Sequence, residues 1–419
     1  MLDLRIIREQ PDLIRANLRH RNVPADLDRL LDADKRVREA IAELEAVRRR
    51  RNEIGTRMKS QLPPAERAAL VEEGRSLKQR ESALDRAHQD AEQERLDLHK
   101  QIPNLSHPDA PVGTDESANR PLREVGPRRN FGFKPKDHLE LMEALDLVDF
   151  DGGAKVAGQK FYYLKNEAVL LELALLQFAT RLLIEEGFTP FITPDLARQD
   201  ILDGIGFNPR GDSTQIYSIA NSDLSLIATA EITLGGLLAG EILEEEKLPL
   251  LYAGISHCFR TEAGSAGRES RGLYRVHQFS KAEMFAFTRP EESGAMHARL
   301  LAIEERIFQE LEVPFRVLDI CTGDLGSPAY RKFDLEAWMP GRDQWGEITS
   351  TSNCTDYQSR RLNIRYRPKG EKGTRFVHML NGTAVAVSRA IIALIENGQQ
   401  ADGSIRLPKC LGLADIQPR

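Results

Sequence analysis

Cysteine is scarce in this chain of 419 residues: four are present, Cys258, Cys321, Cys354 and Cys410, and none form a Cys-x-x-Cys pair. That spacing offers neither a disulfide framework nor a structural zinc ribbon. No two histidines stand in the His-x-x-x-His spacing of zinc hydrolases. No uninterrupted apolar run reaches the roughly eighteen residues of a membrane-spanning helix. The first ten residues, Met1 to Gln10, lack the apolar core of a secretory signal. A cytoplasmic protein without a membrane partner is the expectation. An excess of positive charge is missing too, since the formal net charge is −6. A generic nucleic-acid binder is thereby disfavoured, and any RNA contact must rest on locally gathered cations.

What is present divides into two textures. Aromatic residues are all but missing from residues 30 to 102, which are rich in Arg, Glu, Ala and Leu. Val37, Ile41, Leu44, Ile54 and Met58 fall at mostly helical spacing, and Leu70, Leu77, Leu84, Ala91 and Leu98 recur every seven residues. That is a coiled-coil seam. Pro63-Pro64 interrupts it, so the spacing predicts two helices folded back as an antiparallel hairpin. Arg48, Arg49, Arg50 and Arg51 form a cationic run on the first helix, and Arg36, Arg38, Arg57, Lys59, Arg75, Lys78 and Arg80 add to it. Acidic residues interleave with these cations, so a solvated coiled-coil surface accounts for them as readily as RNA binding. Three prolines between residues 103 and 113 mark a boundary. The expected organisation is therefore a helical domain over residues 1–102, a linker and extended segment over 103–136, and a larger domain over 137–419.

In the larger domain, Asn166 to Glu186 reads as a helix too apolar for a single buried stripe, as at a subunit interface. Leu251–Arg260 and Tyr274–Phe285 read as two strands joined by a loop of small and charged residues. If the first strand runs that far, Arg260 and Glu262 share one of its faces. Arg275, Phe279 and Glu283 share a face of the second. Guanidinium for phosphate, an aromatic ring for a base and carboxylate for an amine suit a nucleotide and an amino compound.

The string Phe259-Arg-Thr-Glu-Ala-Gly-Ser-Ala-Gly-Arg268 resembles motif 2 of the class II aminoacyl-tRNA synthetases, in the wording of the seryl-tRNA synthetases. Gly187 to Leu196, with Pro194, resembles motif 1. Asn381 to Asn397, with Arg389, resembles motif 3. The resemblance implies an α+β fold: a class II antiparallel sheet flanked by helices, preceded by an N-terminal antiparallel coiled-coil arm. It also implies a homodimer, and an arm that grips tRNA(Ser) by shape and phosphate contact. Acceptance of tRNA(Sec) as a second substrate stays open.

By the same resemblance Arg260 clamps the α-phosphate of ATP, Glu262 accepts from the adenine amino group, and Phe279 stacks on the base. Arg389 covers the other side of the base and reaches the γ-phosphate, and Arg260 and Arg389 are the expected catalytic pair. Thr261, Val276, His277 and Gln278 continue the ATP-contacting runs, as do Ile348 and Thr349. Glu347 and Ser350 are the implied oxygen ligands of Mg²⁺. Thr229, Ala230, Glu231, Glu283 and Thr383 form the implied serine pocket. Arg268 and Arg271 are expected near the outer phosphates or the RNA end, and Asn353, Thr355, Asp356, Gln358, Arg360 and Arg361 at ATP or the pocket walls. His257, His277 and His378 are expected in structural roles. A ligase that loads a carrier protein would lack the long arm.

Overall fold

The computed structural model describes residues 1–207, 215–262 and 272–419. The chain forms two compact units, Met1–Pro103 and Asn104–Arg419. In the first, α1 (Leu4–Glu9) and α2 (Pro11–His20) precede the hairpin of α3 (Leu27–Arg57) and α4 (Pro64–Lys100). The Asp26 side chain accepts from the Arg29 amide at 3.0 Å and so caps α3. Pro64 opens α4, where its missing N–H costs nothing. The 31 residues of α3 and 37 of α4 make an arm roughly 45 to 55 Å long.

The arm's seam buries Leu30, Val37, Leu44, Val47 and Ile54 on α3, with Ala91 and Leu98 on α4. Leu70, Leu77 and Leu84 are half-buried, because two helices alone cannot enclose a side chain. Ile41, expected in the seam, is 41% exposed. It falls on the flank of a stripe only two positions wide per heptad. Near the base of the arm, Asp34 is 2% exposed and binds Arg8, Arg38 and Arg95 at 3.2, 3.1 and 3.3 Å. It joins α1, α3 and α4 through one carboxylate.

An eight-stranded sheet organises the second unit. Its strands are β1 (Arg120–Val125), β2 (Thr189–Ile192), β3 (Leu250–Phe259), β4 (Gln278–Thr288), β5 (Phe315–Asp319), β6 (Arg331–Met339), β7 (Gln344–Asn353) and β8 (His378–Ala386). They lie in the order β1-β5-β6-β7-β8-β4-β3-β2, antiparallel throughout except for the parallel β2–β3 pair. The segment after Pro103 is part of this unit. Asn104 donates from Nδ2 to the carbonyls of Pro328 and Cys354, both at 2.9 Å, and β1 closes one sheet edge.

Alternation along β4 explains how the sheet is covered. Ala282, Met284 and Ala286 enter one apolar cluster, with α5 (Glu167–Glu185), α7 (Ser293–Glu310) and α9 (Val387–Gly398). Phe285 and Phe287 enter another, with α6 (Ala230–Gly236) and α8 (Tyr357–Leu362). Phe279, Lys281 and Glu283 share the parity of Phe285 and continue its face as a polar floor. Gly254 of β3 seats α6 on the sheet, since a Cβ there would come within 2.9 Å of Ala230 and 2.8 Å of Leu234. No helix among the described residues is long and apolar enough to cross a membrane.

Candidate active site

The two motif 2 strands end earlier and begin later than expected. Strand β3 stops at Phe259, and Glu262 takes a left-handed φ of 51°. Arg260 still pairs across the hairpin, its amide donating to the His277 carbonyl at 3.0 Å. His277 returns the contact by donating from Nδ1 to the Arg260 carbonyl at 2.8 Å. The Arg260 guanidinium donates to the Ala228 carbonyl at 3.4 Å and lies 5.3 Å from the centre of the Phe279 ring. Arg275, outside β4, binds the Glu262 carboxylate at 3.3 Å.

Two β-bulges set the remaining geometry. Opposite β6, Glu336 faces Glu347 and Leu335 faces Thr349, so Ile348 is an extra residue. Without it Glu347 and Ser350, three apart, would point to opposite faces; with it both reach the same cavity. A second shift, between Thr383 and Val385, lets Thr383 stand opposite Glu283 while Ala386 and Arg389 meet the cavity further along.

Two adjoining cavities result. The smaller is bordered by Arg260, Glu262, Val276, Phe279, the Glu347–Ser350 run and Arg389. The larger is bordered by Thr229, Glu231, Glu283, Asn381 and Thr383. Arg260, Lys281, Glu347, Ser350 and Thr383 border both. Thr261, Ala230, His277 and Gln278 are not on either lining; Ala230 is wholly buried under Gly254. Ile348 is 1% exposed, so its side chain serves the core. The Thr349 hydroxyl donates to the Thr383 carbonyl, fastening the two bulged strands together. Arg268 and Arg271 lie outside the described residues.

Electrostatics separate the cavities. In the smaller one Arg389 binds the Glu347 carboxylate at 3.1 Å and rests over the Tyr274 ring at 4.9 Å. Burial alone would raise the Glu347 carboxyl, but Arg389, Lys332 and Arg260 outweigh it and bring it down to about 2. In the larger cavity burial dominates, and with the Glu283 charge it lifts the Glu231 carboxyl to about 7. Gln358 donates to Glu231 at 2.7 Å. Glu283 accepts on Oε2 from Thr383 at 3.1 Å and from Lys281 at 2.5 Å, and Lys281 also donates to Thr229 Oγ1 at 2.6 Å.

Lys281, Tyr274 and Lys332 escaped the sequence reading. Lys281 was detectable, because the period of two that joins Phe279 to Glu283 passes through it. His257 and His378 bind Asp195 and the Ser293 hydroxyl, each at 2.8 Å, and border neither cavity.

A polar cleft on an antiparallel sheet, with an arginine from a strand hairpin and another from the helix after β8, defines a class II aminoacyl-tRNA synthetase. Residues 216–398 match the family model of the class II tRNA synthetase core domain (G, H, P, S and T), and residues 1–106 match that of the seryl-tRNA synthetase N-terminal domain. The chain is 56% identical to a serine–tRNA ligase of Rubrobacter xylanophilus over 98% of its own length and 97% of the relative's. It is 52% identical to that of Treponema denticola, over 98% of both chains. The crystal structure of seryl-tRNA synthetase from Pyrococcus horikoshii complexed with ATP superposes with a TM-score of 0.91 at 41% identity, covering all of both chains. The chain belongs to the seryl-tRNA synthetase family.

Proposed function

We propose that this protein activates L-serine with ATP in the smaller and larger cavities together, then transfers the seryl group to the 3′ end of tRNA(Ser) in the cytoplasm. A serine carboxylate oxygen attacks the α-phosphorus, the bond to pyrophosphate breaks, and seryl-adenylate forms. A terminal ribose hydroxyl then attacks the carbonyl carbon, AMP leaves, and the hydroxyl proton is lost. Arg260 meets the α-phosphate, where negative charge grows, and oriented donors there stabilise the transition state. Phe279 and Arg389, which both border the smaller cavity, take the two faces of adenine, and Glu262 accepts from its amino group. Glu231 neutralises the serine ammonium. Thr383 and Lys281 both donate to Oε2 of Glu283, which leaves Oε1 to accept from the serine hydroxyl. Alanine lacks that hydroxyl and would strand the carboxylate, so it is rejected.

Glu347 and Ser350 are hard oxygen donors placed on one face by the bulge at Ile348. Among the described residues no cluster of three or more His, Cys, Asp or Glu could form a closed metal site. Two protein oxygens fit Mg²⁺, which takes its other ligands from phosphates and water. Glu347 and Ser350 would hold it, and it would neutralise the phosphate charge.

The exposed side of α5 carries Val169, Leu170, Leu173 and Ile184, 42 to 59% exposed, and Ile192 of the edge strand β2 is 88% exposed. So much uncovered apolar surface beside an open strand edge favours a homodimer, which a solution mass measurement tests. The observation that carries the whole reading is Arg260 at the shared boundary of the two cavities. Pyrophosphate exchange measured with each of the twenty amino acids tests it: exchange with serine alone supports the reading, and exchange with another amino acid or with none overturns it.

A further inference from the structure

Lys281 is the second cation at the boundary where Arg260 stands. Its side chain is 5% exposed. An ammonium so enclosed is costly unless paired, and it is paired with Glu283 Oε2 at 2.5 Å and the Thr229 hydroxyl at 2.6 Å. Those two contacts use two of its three donors. The third has no protein acceptor among the described residues. Of the residues bordering both cavities only Arg260 and Lys281 are cationic, whereas Lys332 borders the larger cavity alone and Arg389 the smaller alone.

Charge accounting gives that spare donor a purpose, on the reading of the two cavities given above. The reaction drives two anions together at this boundary, the carboxylate of the amino acid and the α-phosphate. Arg260 serves the phosphate. The ammonium end of serine is turned toward Glu231. The incoming carboxylate would otherwise meet Glu283 and Glu347 with Lys332 as its neighbouring cation, and Lys332 is already engaged by Asp334 at 3.1 Å. We infer that Lys281 is a substrate-contacting residue of the activation step: its ammonium, anchored by Glu283 and Thr229, holds the serine carboxylate against the α-phosphate beside Arg260. The residue thus recognises the carboxylate of the substrate, while Glu231 recognises the amine and Glu283 the hydroxyl.

A purely structural role, neutralising buried Glu283, makes a different forecast. The test compares Lys281→Met with the wild type in binding L-serine and L-serinamide, which keeps the amine and hydroxyl and replaces the carboxylate by a neutral amide. The substitution should weaken L-serine on the order of a hundredfold, as for loss of one partner of an enclosed charge pair, and weaken serinamide, which loses a neutral hydrogen bond and no charge pair, far less. The double variant Lys281→Met with Glu283→Gln removes both charges at similar volume, guarding against misfolding. It should bind both ligands more weakly yet still fail to prefer serine. Parallel weakening of both ligands in Lys281→Met, or a preference for serine restored in the double variant, would overturn the assignment. Serine-dependent exchange by the wild type is measured alongside: its absence overturns the underlying reading, whereas its presence with parallel weakening overturns the role of Lys281 alone.

Discussion

On the arm, Arg48 reaches across the hairpin to Glu81 at 2.9 Å and Asp85 at 3.1 Å with its side chain 55% exposed. In the catalytic unit, Arg389 meets Glu347 at 3.1 Å with its own side chain 17% exposed. The pairs share chemistry and distance and differ in surroundings. Water and salt screen the first, so it contributes little to stability. The second lines a cavity, with Glu347 itself 41% exposed, but Lys332 and Arg260 add to Arg389 there, and their summed field moves Glu347 far down. An identical contact is thus surface decoration in one unit and sets an ionisation state in the other. The arm repeats its pairs many times, as with Arg36 and Glu94 or Arg50 and Glu73, both at 2.7 Å. The catalytic unit concentrates a few around two cavities.

Arg260→Ala is expected to have the largest effect on activation. The expected loss is about a thousandfold in kcat/KM for serine-dependent exchange, with thermal stability retained. Next comes Asp34, the arm's one enclosed anion hub. Burial opposes its charge, yet the bonds from Arg8 and Arg38 hold its carboxyl below the ordinary range. Asp34→Asn should cost about 2 kcal/mol in unfolding experiments, discounted because Arg8 and Arg38 keep one side in water. A depressed carboxylate stabilises the fold above its unfolded pKa. That contribution should fade as pH falls through the ordinary carboxylate range toward the folded value.

Glu231 should behave oppositely. Raised to about 7, it is largely protonated below that pH and then cannot balance the serine ammonium. kcat/KM for serine should fall about tenfold per pH unit below about 7, and Glu231→Gln should flatten the profile at a low value. A smaller effect sharpens the account of the arm. Arg49, Lys59 and Lys78 are exposed and have no carboxylate partner among the described residues. Replacing each by Ala should lower the salt dependence of tRNA charging by about one ion per contact made, leaving pyrophosphate exchange untouched. Arg48→Ala, already engaged by acids, should do less.

Legibility in the sequence followed the range of the determining contacts. The arm's heptads are local, so Leu70 to Leu98 announced the hairpin, and only the flanking Ile41 was misplaced. Helix α5 and the strand–helix unit β8–α9 were likewise readable from apolar pattern and resemblance. The motif 2 strands were placed but misbounded, because the left-handed turn at Glu262 depends on contacts across the hairpin. The bulges at Ile348 and Ala384 could not be read at all. A bulge exists only relative to a partner strand, and nothing in Glu347 to Ser350 alone says which residue is extra. The Gln358–Glu231 bond, joining α8 to α6, is hidden for the same reason.

The most direct measurement is a crystal structure with a non-hydrolysable seryl-adenylate mimic bound. Adenine is expected between Phe279 and Arg389, the phosphate position on Arg260, and the seryl hydroxyl on Glu283. A mimic lying elsewhere, or bound with Arg260, Phe279 and Arg389 all turned away from it, would contradict the account.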